Sequence, residues 1–239
     1  MIDKLLDKLR LYDVLGADEE NALRGSVLRV VRYNRGDVII RAREETSSSN
    51  ILLSGFVHRF KDLSDGRRQS MELSVPGDFI DLHSFVMKRI DHDIGCLSPC
   101  KIAIVPHERL IEINAQFPHL ARLLWLTTLI DAAIHREWIV SLGARSSVER
   151  MAHLFCEVAA RLEPLGLAER GGYHFPLTQA NLAELMGLSL VHVNRTLREL
   201  RERELVAFKE QKVLIADWDG LVSLAHFDPF YLGFHRRPR

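Results

Sequence analysis

Leu190, Val191, His192, Asn194, Arg195 and Arg198 fall within one short stretch of the chain, and together their side chains suit one kind of chemistry. In the major groove of DNA a guanidinium reads guanine, an amide reads adenine, and apolar groups meet the methyl of thymine. Such readout requires the reading side chains to stand on the free face of a helix. The spacing supplies one: Val193, Leu197 and Leu200 repeat at i, i+4 and i+7, which buries one stripe and leaves the other face open. Ser189 is the natural N-cap of this helix.

A reading helix must be held at a fixed angle by a second one. Thr178 caps a preceding helix whose Leu182, Ala183, Leu185 and Met186 share a face, and Gly187 ends it in the left-handed geometry that costs glycine least. Small Ala183 at the crossing, Gly187 after it and Val193 beyond fit a helix-turn-helix better than an αα-hairpin used only for packing. Leu205–Phe208 and Val213–Ile215, around polar Lys209–Lys212, then read as a two-stranded wing. Arg195, Arg198, Arg201, Arg203, Lys209 and Lys212 oppose Glu199, Glu202, Glu204 and Glu210, a local basic excess suited to phosphates, although alternating charge also describes an ordinary solvated helix face.

The segment Leu177–Ser189, followed by Val193, Arg195, Leu197 and Leu200, resembles the DNA-binding domain of the Crp/Fnr family of bacterial transcription regulators. The resemblance implies an α+β chain of three parts: a helical N-terminus and β-roll sensor over 1–116, a long dimerisation helix over 117–144, and a winged helix-turn-helix over 145–239. Thr178, Ser189, Leu190, Val191, His192, Asn194, Arg195 and Arg198 then form the DNA-binding site, with Arg195 at the family's arginine. Leu190 and Val191 depart from the family, standing where many relatives carry a polar pair. The implied partners are double-stranded DNA with an approximately palindromic operator, a second copy of the chain, and RNA polymerase. No cofactor and no catalysis are implied.

Composition agrees. The chain has 239 residues, 47% hydrophobic and 27% charged, enough to bury one or two ordinary cores, with a formal net charge of zero. Neither a membrane span nor a secretory signal is expected, because the N-terminus mixes charge through its apolar positions; the cytoplasm is the expected location. Cys96, Cys100 and Cys156 make an odd count without a disulfide framework.

Taken in order, Ile2, Leu5, Leu6 and Leu9 predict a helix, and Asp18–Glu20 open a second that carries Leu23. Short runs at Val27–Tyr33, Val38–Ile40, Ile51–Phe60, Met71–Val75, Ile94–Leu97 and Ile102–Val105, separated by glycine turns, predict a sandwich or barrel. After Pro118 one long helix is expected, its face built from Leu120, Leu123, Leu124, Thr127, Ile130, Ile134 and Trp138, wide enough to pack on its own β-roll and on a second copy, with Ile130 and Ile134 at the two-fold seam. Gly143 should stop it, and Gly143–Ser147 reads equally as a hinge or as an ordinary loop before a helix capped by Ser146 and Glu149. Trp218, Phe227, Phe230 and Tyr231 should fold the tail back onto the protein, leaving the terminal residues 235–239 loose.

The resemblance places the effector pocket at Asp78, Ile80, Asp81, Leu82, His83, Asp91 and His92. Cyclic-AMP-binding relatives carry a Gly-Glu pair and an Arg-(Ser/Thr)-Ala there, where this chain has Ile80-Asp81 and Asp91-His92-Asp93. A carboxylate 4 Å from the phosphate would cost about 4 kcal/mol, so cyclic AMP is not the expected effector. An uncharged or cationic ligand, a redox signal through Cys96 and Cys100, and constitutive binding remain open. A cupin-like enzyme is disfavoured because His83, His92 and His107 are scattered, and no metal site is expected. From another class, the alternative is a β-roll small-molecule or metal-binding protein whose helix-turn-helix serves assembly only.

Overall fold

A computed structural model describes residues 1–169 and 171–238; the last residue of the tail, Arg239, lies outside them. The chain forms two compact units, one of Met1–Phe60, Ser74–Ala133 and the tail from Gly233, the other of Lys61–Leu73 and Ile134–Leu232.

The first unit opens with helices α1 (Asp3–Arg10) and α2 (Ala17–Ser26), followed by strands β1 (Arg29–Tyr33), β2 (Val38–Ile40), β3 (Ser48–Ser54) and β4 (Val57–Asp62); β5 (Arg68–Ser74) belongs, up to Leu73, to the second unit. A short helix α3 (Ser84–Met87) precedes β6 (Asp93–Cys96) and β7 (Cys100–Pro106). Within this unit the strands form two antiparallel sheets ordered β1-β7-β3 and β2-β6-β4. Ile40, Val57, Ile94 and Cys96 of one sheet meet Leu52, Cys100 and Ile102 of the other, the sandwich core that alternating apolar strands require. The single apolar run Ile51–Phe60 is two strands, not one, because Gly55 turns the chain at φ +92°. Any side chain there would collide, its Cβ lying 2.4 Å from the Pro99 carbonyl oxygen and 2.6 Å from Cys100 Sγ.

Helix α4 (His107–Gln116), which the sequence reading missed, buries only His107, Leu110 and Ile113. It leads into α5 (Pro118–Ala144), a helix of 27 residues and so about 40 Å long. Two expectations about α5 are corrected. Leu120, Leu123, Leu124, Thr127, Ile130, Ile134 and Trp138 are all buried within the single chain, so Ile130 and Ile134 are core residues and not a free seam. The outward face belongs instead to Trp125, Leu129, Ile139 and Val140, between 48% and 69% exposed, whose positions around the helix fall within about 100° of one another. Nor does Gly143 stop the helix, which runs through it to Ala144.

The second unit is built on α6 (Ser147–Leu162), opened by the expected capping box: Ser146 Oγ accepts from the Glu149 N–H at 3.3 Å, and Glu149 from the Ser146 N–H at 2.7 Å. Strands β8 (Ala168–Glu169) and β9 (Gly172–His174), helices α7 (Gln179–Met186) and α8 (Leu190–Glu202), the pair β10 (Val206–Lys209) and β11 (Lys212–Ile215), and helix α9 (Trp218–Ala225) follow. The wing is larger than two strands, since β8 and β9 join it in the order β10-β11-β9-β8. The unit also holds a buried polar knot. Glu157, fully buried, accepts from Trp138 Nε1 at 3.2 Å, the Tyr231 hydroxyl at 2.8 Å and Arg161 at 3.2 Å, while Arg161 also donates to the Leu73 carbonyl at 2.8 Å. Paired and hydrogen-bonded in this way, the charge is tolerable inside a core. Tyr231, in the tail, is thus folded back as expected.

Candidate nucleic-acid interface and effector loop

The two helices of the reading head are fixed by the residues the sequence singled out. Thr178 Oγ1 accepts from the Asn181 N–H at 3.1 Å and Ser189 Oγ from the His192 N–H at 3.3 Å, each satisfying one of the orphan donors at a helix start. Gly187 caps α7 at φ +62°, and its placement lets the Leu188 N–H reach the Ala183 carbonyl at 3.0 Å. Arg150 ties the assembly from below, donating to the Met186 carbonyl at 2.5 Å and to the Leu142 and Arg145 carbonyls at 3.1 and 3.3 Å. One guanidinium thereby satisfies the carboxyl ends of α5 and α7, where the helix dipoles are negative. Arg145 braces the same joint, donating to Ser141 Oγ at 2.8 Å and to Glu137 at 2.6 Å, so the segment that reads as a hinge or a loop is cross-tied.

On α8 the buried stripe is Val193, Thr196 and Leu200, with Leu197 only half-buried. The helix is rotated slightly from the expected register, and the Thr196 hydroxyl finds no hydrogen-bond partner among the described residues. The opposite face carries Leu190, Val191, His192, Asn194, Arg195 and Arg198 together, all exposed. They are not equally free. Asn194 Nδ2 donates to the Leu190 carbonyl at 2.9 Å, the His192 ring lies 3.1 Å from Ser189 Oγ, and Arg198 sits 3.8 Å from Glu202. Arg195 has no carboxylate partner among the described residues. Much of the local basic excess is neutralised, Arg203 by Glu199 and Lys209 by Glu210.

The effector loop contrasts with this. Asp78 accepts from Lys8 Nζ at 2.6 Å and from the Val75 N–H at 2.8 Å, and Ile80 is core. Asp81 is buried and accepts from the Asn50 N–H at 2.6 Å, Asn50 Nδ2 at 2.9 Å and Ser84 Oγ at 3.3 Å; burial pushes its carboxyl up to about 7. Asp91 is exposed and pairs with His92 at 3.0 Å, whose ring lies 5.4 Å from that of His83. Leu82 and His83 border an apolar groove of about 310 Å³, together with Phe85, Val86, Leu110 and Trp125. Arg59, which the sequence reading missed, fills the interior beside the loop, donating to the Ile80 carbonyl at 2.9 Å and to Asp131 of α5 at 3.0 Å. Its signal was a lone arginine within the apolar strand Val57–Phe60. Lys88 and Arg89 point elsewhere, Lys88 over the Phe85 ring at 5.2 Å and Arg89 to exposed Glu45 at 3.1 Å. Cys96 and Cys100 are both free thiols, buried in the sandwich core. The hydrogen bond with neighbouring Cys100, and then burial, push the Cys96 thiol up, away from the thiolate form.

Comparison with known proteins agrees with this architecture. Residues 30–117 match the cyclic nucleotide-binding domain and residues 149–224 the Crp-like helix-turn-helix domain. The chain thus carries both domains of a Crp/Fnr-type transcription regulator, in that order. It is 28% identical over 201 residues to the nitrogen fixation regulation protein FixK of Bradyrhizobium diazoefficiens, covering 82% of each chain. To the transcriptional activator protein FnrL of Cereibacter sphaeroides it is 25% identical over 200 residues, covering 82% of this chain and 80% of that one. The structure of FixK2 from Bradyrhizobium japonicum superimposes with a TM-score of 0.74 at 23% identity, over 82% of this chain and 96% of that one. No helix among the described residues is long and apolar enough to cross a membrane.

Proposed function

We propose that this regulator acts in the cytoplasm as a homodimer on an approximately palindromic operator, read by α8 of each copy. The observation that carries the reading is Arg195, exposed at mid-helix and uncommitted, beside an exposed first turn. The unpartnered apolar stripe Trp125, Leu129, Ile139 and Val140 on α5 supports a second copy as its cover, which would set two recognition helices about 34 Å apart. Thr178 and Ser189, both exposed, cap the N-termini of α7 and α8, where the remaining N–H groups suit phosphate. Contact with RNA polymerase belongs to the same proposal.

Cyclic AMP is not the effector in this reading. Asp78 and Asp81 are taken up by Lys8 and Asn50, Arg59 by Asp131, and no basic side chain of the loop is turned to a cyclic phosphate among the described residues. Gel shift tests the function: Arg195→Ala should cost about 1 to 3 kcal/mol on a preferred sequence and little on random DNA. Equal losses on both would remove base reading from Arg195. Calorimetry tests the effector, and a cyclic AMP dissociation constant below about 50 μM would overturn that part.

A further inference from the structure

Leu190 and Val191 are 51% and 78% exposed on the first turn of α8, where water gives apolar side chains nothing. Around them the polar groups are committed or absent. Asn194 Nδ2 is held by the Leu190 carbonyl at 2.9 Å, so bidentate reading of adenine would first break that bond. No carboxylate lies in the first turn to accept from the cytosine amine. Val191 and Arg195 are four residues apart, hence on one edge of the helix and about 6 Å apart along it, a separation of one to two base pairs.

We propose that Leu190 and Val191 read the operator by 5-methyl groups, each half-site presenting thymine methyls to this pair beside the guanine taken by Arg195. This rests on the DNA-reading function proposed above. Thymine is favoured because its methyl is the one apolar group that unmodified bases show in the major groove. The other bases are rejected by the same contact. Against two aliphatic side chains, the amine of cytosine or adenine and the acceptors of guanine would lose water without gaining a partner.

The full-length protein is first used to select preferred sites from random DNA, and each thymine of the selected half-site is then replaced by uracil, which removes only the methyl. At the positions under Leu190 and Val191, loss should be about fourfold per methyl, the worth of one buried aliphatic carbon, and about fifteenfold when both half-sites are changed. Cytosine there should bind better as 5-methylcytosine. In Leu190→Ala and Val191→Ala, both at exposed positions and so with melting unchanged, the uracil penalty should shrink toward nothing at one position each. Should alanine abolish binding, Val191→Thr, which keeps one methyl, carries the comparison and should retain part of the penalty. A tight consensus in which no uracil matters overturns methyl readout while leaving DNA binding intact. A penalty unchanged in both alanine variants overturns the assignment to these side chains. Absence of any preferred sequence overturns the function on which the proposal rests.

Discussion

The loop from Pro76 to Asp93 and the outer face of α8 both concentrate polar chemistry, yet they spend it in opposite directions. In the loop the charges turn inward and close on partners from elsewhere in their unit, Asp78 on Lys8 and Asp81 on Asn50, with Arg59 bonded to the Ile80 carbonyl. On α8 the side chains turn outward, and Arg195 closes on nothing among the described residues. A satisfied buried network fixes one conformation, because each lost partner leaves a charge stranded in low dielectric. An open face leaves its hydrogen-bonding capacity for a ligand. The lesson is that residue type alone does not mark a binding site; the state of its hydrogen-bond partners does.

Removing a partner from the closed network gives the largest expected effect. Arg59→Ala takes a buried donor from Asp131 and the Ile80 carbonyl, and urea denaturation should show a loss of about 3 to 5 kcal/mol. A loss below about 1 kcal/mol would mean that water already reaches this pair, and the contrast with α8 would fail. Next come the two faces of α5. Leu129→Glu, on the outward stripe, should give a folded monomer by sedimentation, whereas Ile130→Glu, 5% exposed, should unfold the chain. A dimer that survives Leu129→Glu moves the seam elsewhere.

Two buried groups, one in each unit, should answer pH with opposite signs. Asp81 is raised from 3.8 to about 7 by burial, so the native state holds its proton more tightly than the unfolded chain does. Its contribution is full below about pH 4 and is lost as pH rises toward 7; Asp81→Asn should flatten that limb. His153, buried in the second unit, is depressed from 6.5 to about 3, so stability there is lost as pH falls through that range. Urea midpoints for His153→Gln should lose this acid limb, and an unchanged profile would place the ring in water. The smallest effect is at the open site's support. Thr178→Ala removes one cap and should cost about 1 kcal/mol, seen as a melting shift of about 2 to 4 °C.

The reading head was nearly all legible in the sequence because its rules are local. Caps at Thr178 and Ser189, the left-handed Gly187 and the exposed set on α8 follow from residue type and spacing within a few positions, and even the error over Leu197 and Thr196 is a rotation of one residue. Strands bounded by glycine turns were legible for the same reason. The effector loop was not. Its partners, Lys8, Asn50, Arg59 and Asp131, are far away in sequence, and no periodicity announces which carboxylate a distant lysine will meet. The face of α5 fell between these cases: the helix and its length were plain, but a helix apolar on most sides does not say which stripe its own chain will bury.

Arg150 gives the end of α5 and the end of α7 a common anchor, since its guanidinium grips Leu142, Arg145 and Met186 at once. In kinematic terms it is a crank pin. A twist in the last turn of α5 would pass through this anchor to the turn ahead of α8 and tilt the outer face that carries Val191 and Arg195. Lysine, with one point of attachment and a flexible stem, would hold either helix end and let the other slip.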